Sequence, residues 1–496
     1  MCWGRAEKGT FAAMEENRLD EEQLSASGNS DESGLTTRKL KDPMLTDNLW
    51  RLMWKMSLPG IGGMLVISLN NFVDAIFVGQ LISSDALAAI ALALPLTMVS
   101  AAFTSLLGVG SSSLLSRMLG EGDLDGPARI TVNVVLLGTV FSLLLTALFW
   151  FLAHPLIVIV GGVGIQADMG AAYFRIFALA TIFRLPGIAT NMLIRAEGKI
   201  NVAMIFVAIA MILNMVLNPI FISTLGLGIE GAAWATNLSM FIYALLNAQY
   251  FLRRKTRYPI LRRHMRFSPE LLPPILGVGI SAALMQGMFM IQQAVVFNVT
   301  KVHAEDSSET AFMGACYRII MLAIVPVFGF LQAFQPVVGI NYGAKFYHRS
   351  VRALWVFIAG GTLFELAIWV PMEIWPRPFL GILLKDFELD AEHLYRFRLI
   401  MLSLPALPFL FLAINFFQAL GRGAVAGFLI SGRQLLFFVP GIYLLARAIG
   451  VRGVYAGHPA VDALAVVLTA TYTYLEVRRL NRMSAQKTEL SKTNPD

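Results

Sequence analysis

A carboxylate lies inside an apolar stretch of the sequence. Residues 65–81 read LVISLNNFVDAIFVGQL, and Asn70, Asn71 and Asp74 lie among residues that suit the interior of a membrane. On a helix, Asn70 and Asp74 share one face because they are one turn apart. A charged side chain is costly inside a membrane and usually faces a cavity or a partner. Asp74 is therefore a candidate to bind a proton or a cation. The structural alternative is that it pairs with an arginine or caps a broken helix.

A second polar group lies in LNMVLNPIFI, residues 213–222. Asn214 and Asn218 are four residues apart, so they stack on one face of a helix. Pro219 has no backbone N–H, so the carbonyl of Met215 loses its helical partner and we expect a bend there. The two amides either join a polar site or only hold helices together by hydrogen bonds.

The composition predicts an all-α polytopic membrane protein. Of 496 residues, 56% are hydrophobic and 14% are charged, and apolar blocks alternate with short basic stretches. The net charge of +7 does not indicate nucleic-acid binding, because Lys and Arg lie mainly at the ends of apolar blocks. Two cysteines, Cys2 and Cys316, are too few for a disulfide framework. The sequence has no nucleotide-binding or metalloprotease motif, so we expect no enzyme activity and no cofactor.

Hydropathy predicts twelve transmembrane spans, with boundaries set by windows of about 19 residues. The predicted spans are 57–80, 86–112, 130–153, 169–194, 201–222, 229–252, 270–299, 311–335, 351–374, 391–418, 424–446 and 453–476. One set of alternate loops and their edges carries 15 Lys and Arg residues, whereas the other set carries five. Since basic residues are retained on the cytoplasmic side, both termini are predicted to lie in the cytoplasm of a multi-pass protein of the cell (inner) membrane.

The spans divide into two six-helix repeats. GIEGAAWAT at 228–236 matches GVRGVYAGH at 450–458, and RMLGEGD at 117–123 matches NYGAKFY at 341–347, which places Gly120 against Gly343. An even number of spans gives the second repeat the same orientation as the first. The predicted domains are a disordered cytoplasmic tail (1–49), an amino-terminal lobe (50–252), a basic cytoplasmic linker (253–268), a carboxy-terminal lobe (269–479) and a cytoplasmic tail (480–496).

Two halves that meet at a central cavity favour a transporter that works by alternating access. The sequence offers no G-x-x-x-x-G-K-[ST] motif for ATP, so an ion gradient is the expected energy source. A non-transporting membrane scaffold is the rival from another class, and a buried acid argues against it.

Several motifs, in order, resemble the MATE (multidrug and toxic compound extrusion) transporters. The residues are LNNFVDAIFVGQL, ALAAIALALPL, SRMLGEGD, LNMVLNPIFI, GIEGAAWAT and GFLQAFQPVVGINYGAK, and the resemblance runs from about residue 50 to 480. The stretches QPVVGINYGAK and GRQLLFFVP look most like the bacterial branch that includes the MepA and DinF types. The resemblance implies a two-lobe fold of six plus six helices that exchanges a cation inward for an organic, often cationic, drug outward. It also implies a role in antibiotic resistance.

The resemblance implies an ion-coupling site at Asp74, Asn214, Asn218 and Thr236. Asn218 stands where relatives carry a second acid. A single carboxylate can still carry a proton, the coupling ion we expect. If the protein is sodium-coupled instead, the same four residues would hold Na⁺ through carboxylate, amide and hydroxyl oxygens. The carboxy-terminal half has no acid at the position that matches Asp74.

Five residues are candidate substrate contacts: Asn70, Arg184, Gln286, Phe289 and Gln293. Gln286, Phe289 and Gln293 are predicted to share a face of the seventh span beside several methionines, a surface that adapts to flat ligands; a packed seam between helices is the alternative. The expected partners are small organic molecules and the lipid bilayer, and the protein is expected to be a monomer. Export of a lipid-linked saccharide is the alternative function within the superfamily, and a cationic central cavity around Arg184 would favour it.

Overall fold

The computed structural model describes residues 42–81, 84–304, 307–384 and 387–493 as a bundle of helices, with no β-strand among them. The first half contains α1 (Leu49–Leu81), α2 (Ser84–Glu121), α3 (Asp125–Ile159), α4 (Gly164–Ala196), α5 (Ile200–Pro219) and α6 (Gly228–Leu252). The second half contains α7 (Leu272–His303), α8a (Ser307–Ala323), α8b (Val325–Gly343), α9 (Tyr347–Ile374), α10a (Ala391–Met401), α10b (Leu407–Ala419), α11a (Gly423–Ser431), α11b (Val439–Ile449) and α12 (Val451–Thr493).

All twelve predicted spans are helical, and eleven helical stretches of the described residues are long and apolar enough to cross a membrane. The exception is α6, whose 25 residues include Asn237 and Asn247. Both amides are buried against α4: Asn237 Nδ2 donates to the Ile176 carbonyl at 2.8 Å, and Asn247 Oδ1 accepts from Asn191 at 3.1 Å. The polar groups that lower the hydropathy of α6 are therefore satisfied inside the bundle. The all-α polytopic membrane fold predicted from composition is confirmed.

The glycines matched between the two repeats occupy equivalent places. Gly120 ends α2 against α8b, where an added Cβ would lie 2.1 Å from the Ile340 carbonyl oxygen. Gly343 ends α8b against α2, where an added Cβ would lie 1.9 Å from the Arg117 carbonyl oxygen. Each half thus contributes one glycine to the crossing of α2 and α8b, and only glycine permits the two backbones to come this close.

The two halves meet at one end of the bundle, which we call the tail end because α1 begins there and α2 and α8b end there. Gly60 of α1 packs on Gly329 of α8b, and Gly279 of α7 packs on the Leu106 carbonyl of α2. Ser113 Oγ of α2 donates to the Gln418 carbonyl of α10b at 2.5 Å. These contacts close the tail end of the bundle with backbone-to-backbone packing. The opposite end is called the far end below.

Parts of the segments predicted as terminal tails are helical in the structure. Residues 1–41 of the predicted amino-terminal tail lie outside the described residues. Pro43–Thr46 then form a short helix whose Met44 and Leu45 are buried, and Asn341 Nδ2 of α8b donates to the Met44 carbonyl at 3.0 Å. Helix α12 continues through the predicted tail from 480 to Thr493, with Leu480 buried. In both places an apolar side chain with a core to enter outweighs the polar surroundings in the sequence.

The basic linker between the halves packs along the tail end. Tyr258 Oη lies 2.6 Å from Thr131 Oγ1, and Arg263 pairs with Asp125 at 2.8 Å. Arg257 bridges Asp42, which precedes α1, and Glu197, which follows α4. The linker therefore ties the segment before α1 to the amino-terminal half.

Candidate functional site

Asp74 is held by asparagine side chains from two helices. In α1, Asn70 Nδ2 donates to Asp74 Oδ2 at 2.6 Å across one helical turn. From α5, Asn218 Nδ2 donates to Asp74 Oδ1 at 2.5 Å. Asn70 and Asn218 are almost wholly buried, whereas Asp74 is half-buried. Hydrogen bonds from amides to an ionised acceptor are stronger than neutral ones, so the amides of the cage hold the carboxylate in place.

Asn214 completes the cage. Both the NH₂ group and the oxygen of its amide form hydrogen bonds when the NH₂ group faces Asp74. The nitrogen then lies 3.1 and 3.2 Å from the two carboxylate oxygens. The amide oxygen then accepts from the backbone N–H of Thr236 in α6 at 3.3 Å. The structure therefore brings together Asp74, Asn214, Asn218 and Thr236, the four residues proposed as an ion-coupling site. Asn70, proposed as a substrate contact, is a direct hydrogen-bond partner of Asp74.

The end of α5 positions Asn218. The helix does not simply bend at Pro219 as expected; it widens into a π-helical turn at Ile220–Thr224. π-Helical turns inside helices occur frequently at functional sites. Gly231 of α6 then packs on the Phe221 carbonyl, with an added Cβ at 2.6 Å. This packing fixes the turn beside the Asp74 cage.

The cage combines one carboxylate with amide groups. Asp74 is its one acid, and the described residues contain no group of three His, Cys, Asp or Glu side chains that could hold a metal ion. Three amide NH₂ groups already point at the carboxylate oxygens. Na⁺ would need oxygen ligands instead. The buried Asn218 Oδ1, which has no hydrogen-bond partner, and Thr236 Oγ1 are the oxygens nearest to that role.

Arg184 does not pair with Asp74. Its Nη2 lies 3.4 Å from the Thr97 carbonyl of α2, and its guanidinium lies over the Phe177 ring at 5.3 Å from the ring centre. Tyr173, which the sequence analysis did not select, is close enough to interact electrostatically with both Asp74 and Arg184. Tyr173 lies one turn before Phe177 on α4. Because both side chains are aromatic and the helix is apolar, the sequence does not distinguish Tyr173 from a residue of the packed core.

The second half contains a small cavity of about 30 Å³. Phe289 lines it, stacked on Phe411 with ring centres 6.2 Å apart, and Met285, Met288 and Gln292 lie beside it. Gln293 is exposed and does not line this cavity. Gln286 lies toward α2, where its Nε2 is 3.4 Å from Ser105 Oγ. The predicted face of α7 is therefore displaced by one residue, so that Gln292 takes the place expected for Gln293.

One wall of the cavity carries an ion pair. Arg433 lies on the π-helical segment Gly432–Phe438 of the eleventh span and pairs with Asp462 of α12 at 2.7 Å. The side chain of Asp462 is 3% exposed and that of Arg433 is 15% exposed. The pair leaves the cavity electrically neutral, with apolar and amide walls.

A two-lobed helical bundle with one caged carboxylate in its first half and none at the matching place in its second defines a polytopic membrane transporter. The MatE family model matches residues 59–220 and 278–444, and the chain belongs to this family. The chain is 22% identical to multidrug export protein MepA of Staphylococcus aureus strain MSSA476 over 434 residues, 87% of this chain and 95% of that one. It is 23% identical to MepA of Staphylococcus haemolyticus over 407 residues, 82% of this chain and 89% of that one.

A solved structure shares the fold. An outward-facing multidrug resistance MATE family transporter of the MOP superfamily matches with a TM-score of 0.83 and 28% identity, over 88% of this chain and 98% of that chain. The protein is thus a MepA-like MATE transporter, not an enzyme.

Proposed function

We propose that the protein exports organic, often cationic, compounds across the membrane in exchange for protons, with Asp74 as the coupling residue. The observation that carries the proposal is the Asp74 cage, one carboxylate with donors from Asn70 and Asn218 at 2.6 and 2.5 Å. The names of the MepA relatives, multidrug export proteins, supply the substrate class.

Proton binding at Asp74 would act through the cage. A neutral carboxyl loses the charge-assisted part of each amide hydrogen bond, and the bonds from Asn214 and Asn218 connect α1 to α5. The contact of the two helices weakens, so protonation favours a different position of α1. Because a ligand shifts an equilibrium only by its differential affinity for two states, the proton must bind these states unequally. The cage provides the difference.

The coupling also needs competition with the substrate. An ionised Asp74 attracts an organic cation, whereas a protonated one does not. Proton uptake from the far side would lower the affinity for the cation there, and the lobes would then rock to release the proton at the tail end. The closed tail end is compatible with this scheme, because alternating access requires one end of the transporter to be closed while the site faces the other.

We place the tail end in the cytoplasm. It carries the basic linker with Arg257, Arg262 and Arg263, and basic residues are retained on the cytoplasmic side. Both termini are cytoplasmic in this proposal, the membrane is the cell (inner) membrane, and the transporter works as a monomer.

Substrate-triggered cation release from the purified protein in liposomes tests the proposal. We expect an organic cation to release protons and its export to follow a pH gradient. Export that follows a Na⁺ gradient at constant pH would replace the proton by Na⁺ bound at Asp74, Asn214, Asn218 and Thr236. No export under either gradient would reject cation coupling.

A further inference from the structure

Glu365 is the most isolated acid of the described residues. It lies in α9, its side chain is completely buried, and neither carboxyl oxygen has a hydrogen-bond partner. Among the residues that the structure describes, no charged group interacts with it electrostatically. An unpaired carboxylate in an apolar interior is strongly disfavoured, so the neutral acid is the form that these surroundings accommodate.

Two more unsatisfied polar groups lie on the same face of α9. Trp369 follows Glu365 by four residues and Glu373 follows by eight, so the three side chains form one stripe. Trp369 Nε1 and Glu373 Oε2 are buried and also have no hydrogen-bond partner. Successive members are about 6 Å apart along the helix axis, a gap that one bridging water spans. The stripe leads from Glu365 to the end of α9 at the far end of the bundle.

The tenth span is interrupted opposite this stripe. One turn before Glu365, an added Cβ on Gly361 would lie 3.5 Å from Pro408 Cβ of α10b. Between α10a and α10b, the chain forms a short 3₁₀ turn at Leu404–Ala406. Pro405 has no N–H, so the Met401 carbonyl loses its helical donor. Interrupted helices beside buried polar groups are the setting in which transporters bind coupling ions.

The neighbouring elements provide no counter-charge for Glu365. Arg398 of α10a donates instead to the Glu373 backbone carbonyl at 2.8 Å. Other charged groups on elements packed against α9 are paired elsewhere or exposed: Arg396 with Glu309 and Glu392, Arg452 with Glu392, Asp462 with Arg433, Glu476 with Arg422 and Arg479, Asp74 with its amide cage, and the exposed Arg51, Lys55, Arg318, Arg377, Arg478 and Arg482.

We propose that Glu365 is a second proton-binding site, in the carboxy-terminal half, that exchanges its proton with the far end of the bundle along the stripe of Trp369 and Glu373. Only a carboxyl O–H bond breaks and re-forms, and the proton passes to solvent at Glu373. The Trp369 indole, which can only donate, orients the carboxylate or a bridging water and carries no proton itself. Proton binding by Glu365 stands independently of transport; its contribution to export rests on the proposed proton coupling.

Infrared spectroscopy of the purified full-length protein tests proton binding directly. In an Asp74→Asn, Glu197→Gln background, which removes the two other acids discussed in this article, we expect a C=O band of a protonated carboxyl that disappears at alkaline pH. Glu365→Gln should remove this band, Glu365→Asp should retain a shifted one, and the surface control Glu270→Gln should change nothing. A spectrum that Glu365→Gln leaves unchanged would overturn the proposal, as would a band that persists at every pH.

The second readout is the number of protons released per substrate bound, with Asp74 intact. Glu365→Gln should lower that number by roughly half, because one of two sites remains, whereas Glu270→Gln should leave it unchanged. An unaltered number would refute exchange of the Glu365 proton during the cycle. If neither protein releases protons but the infrared band is present, the proposed coupling fails while proton binding by Glu365 stands.

Discussion

Replacement of Gly343 by alanine tests the close crossing of α2 and α8b. The added methyl group would lie 1.9 Å from the Arg117 carbonyl oxygen and 2.8 Å from its carbon. Since ordinary contact begins near 3.4 Å, the two helices must separate by roughly 1.5 Å. Backbone atoms cannot rotate away as a flexible side chain can. Overpacking of this kind costs about 1–3 kcal/mol, which corresponds to a shift of roughly 5- to 150-fold toward states with an open tail end.

Cysteine accessibility measures this shift. Ser113 is completely buried at the closed seam, so Ser113→Cys, in a chain with Cys2 and Cys316 replaced by serine, reports opening by its reaction with a polar thiol reagent. We expect Gly343→Ala to accelerate the reaction by the factor given above. Gly62→Ala is the matched control, because no atom lies within 4 Å of its added Cβ. Equal reaction rates for the two alanine variants would refute the assignment of the glycine crossing as the closed gate.

Three further predictions concern other parts of the molecule. Burial raises the pKa of Glu197, in the loop after α4, from its ordinary 4.5 to about 7, although Tyr250 and Arg257 act in the opposite direction. The folded protein then keeps a proton that the unfolded chain loses, so stability should fall as pH rises through that window and level off above it. Glu197→Gln should flatten this dependence in thermal unfolding, and an unchanged slope would contradict the assignment. Phe289→Ala removes the stack on Phe411 and should raise KM for an aromatic substrate roughly 2- to 10-fold without changing proton release; an unchanged KM would exclude this surface from binding. Asp462→Asn leaves Arg433 buried without its partner and should lower Tm by more than the double variant Arg433→Met, Asp462→Leu; equal losses would show that the pair is not the cause.

The sequence predicted the spans because each helix carries its own hydropathy. The gathering of Asp74, Asn214, Asn218 and Thr236 came from the family resemblance, since residues 162 positions apart cannot be brought together by periodicity. What remained hidden was the hydrogen bond from Asn70 to Asp74 and the rotation of α7. That helix is apolar on most of its surface, so its sequence does not identify the side that faces the cavity. Because α7 is rotated by one residue from the predicted orientation, Gln292 lines the cavity in place of Gln293.

The ordered segments outside the spans could not be predicted for a related reason. Met44 and Leu45 form a two-residue apolar patch in a polar stretch, too short for a hydropathy window. Their burial depends on a site formed by α8b and by the loop after α4, which exists only in the folded bundle. The isolation of Glu365 likewise depends on the helices that pack against α9 and not on the sequence of α9 alone.

The central claim is that Asp74 couples proton entry to export. Everted membrane vesicles that contain the protein and an imposed pH gradient, with a fluorescent organic cation as substrate, test it most directly. The account predicts that Asp74→Asn abolishes gradient-driven accumulation of the dye, whereas the adjacent exposed Asn71→Ala retains it. Accumulation by Asp74→Asn at the rate of the unaltered protein would contradict the account.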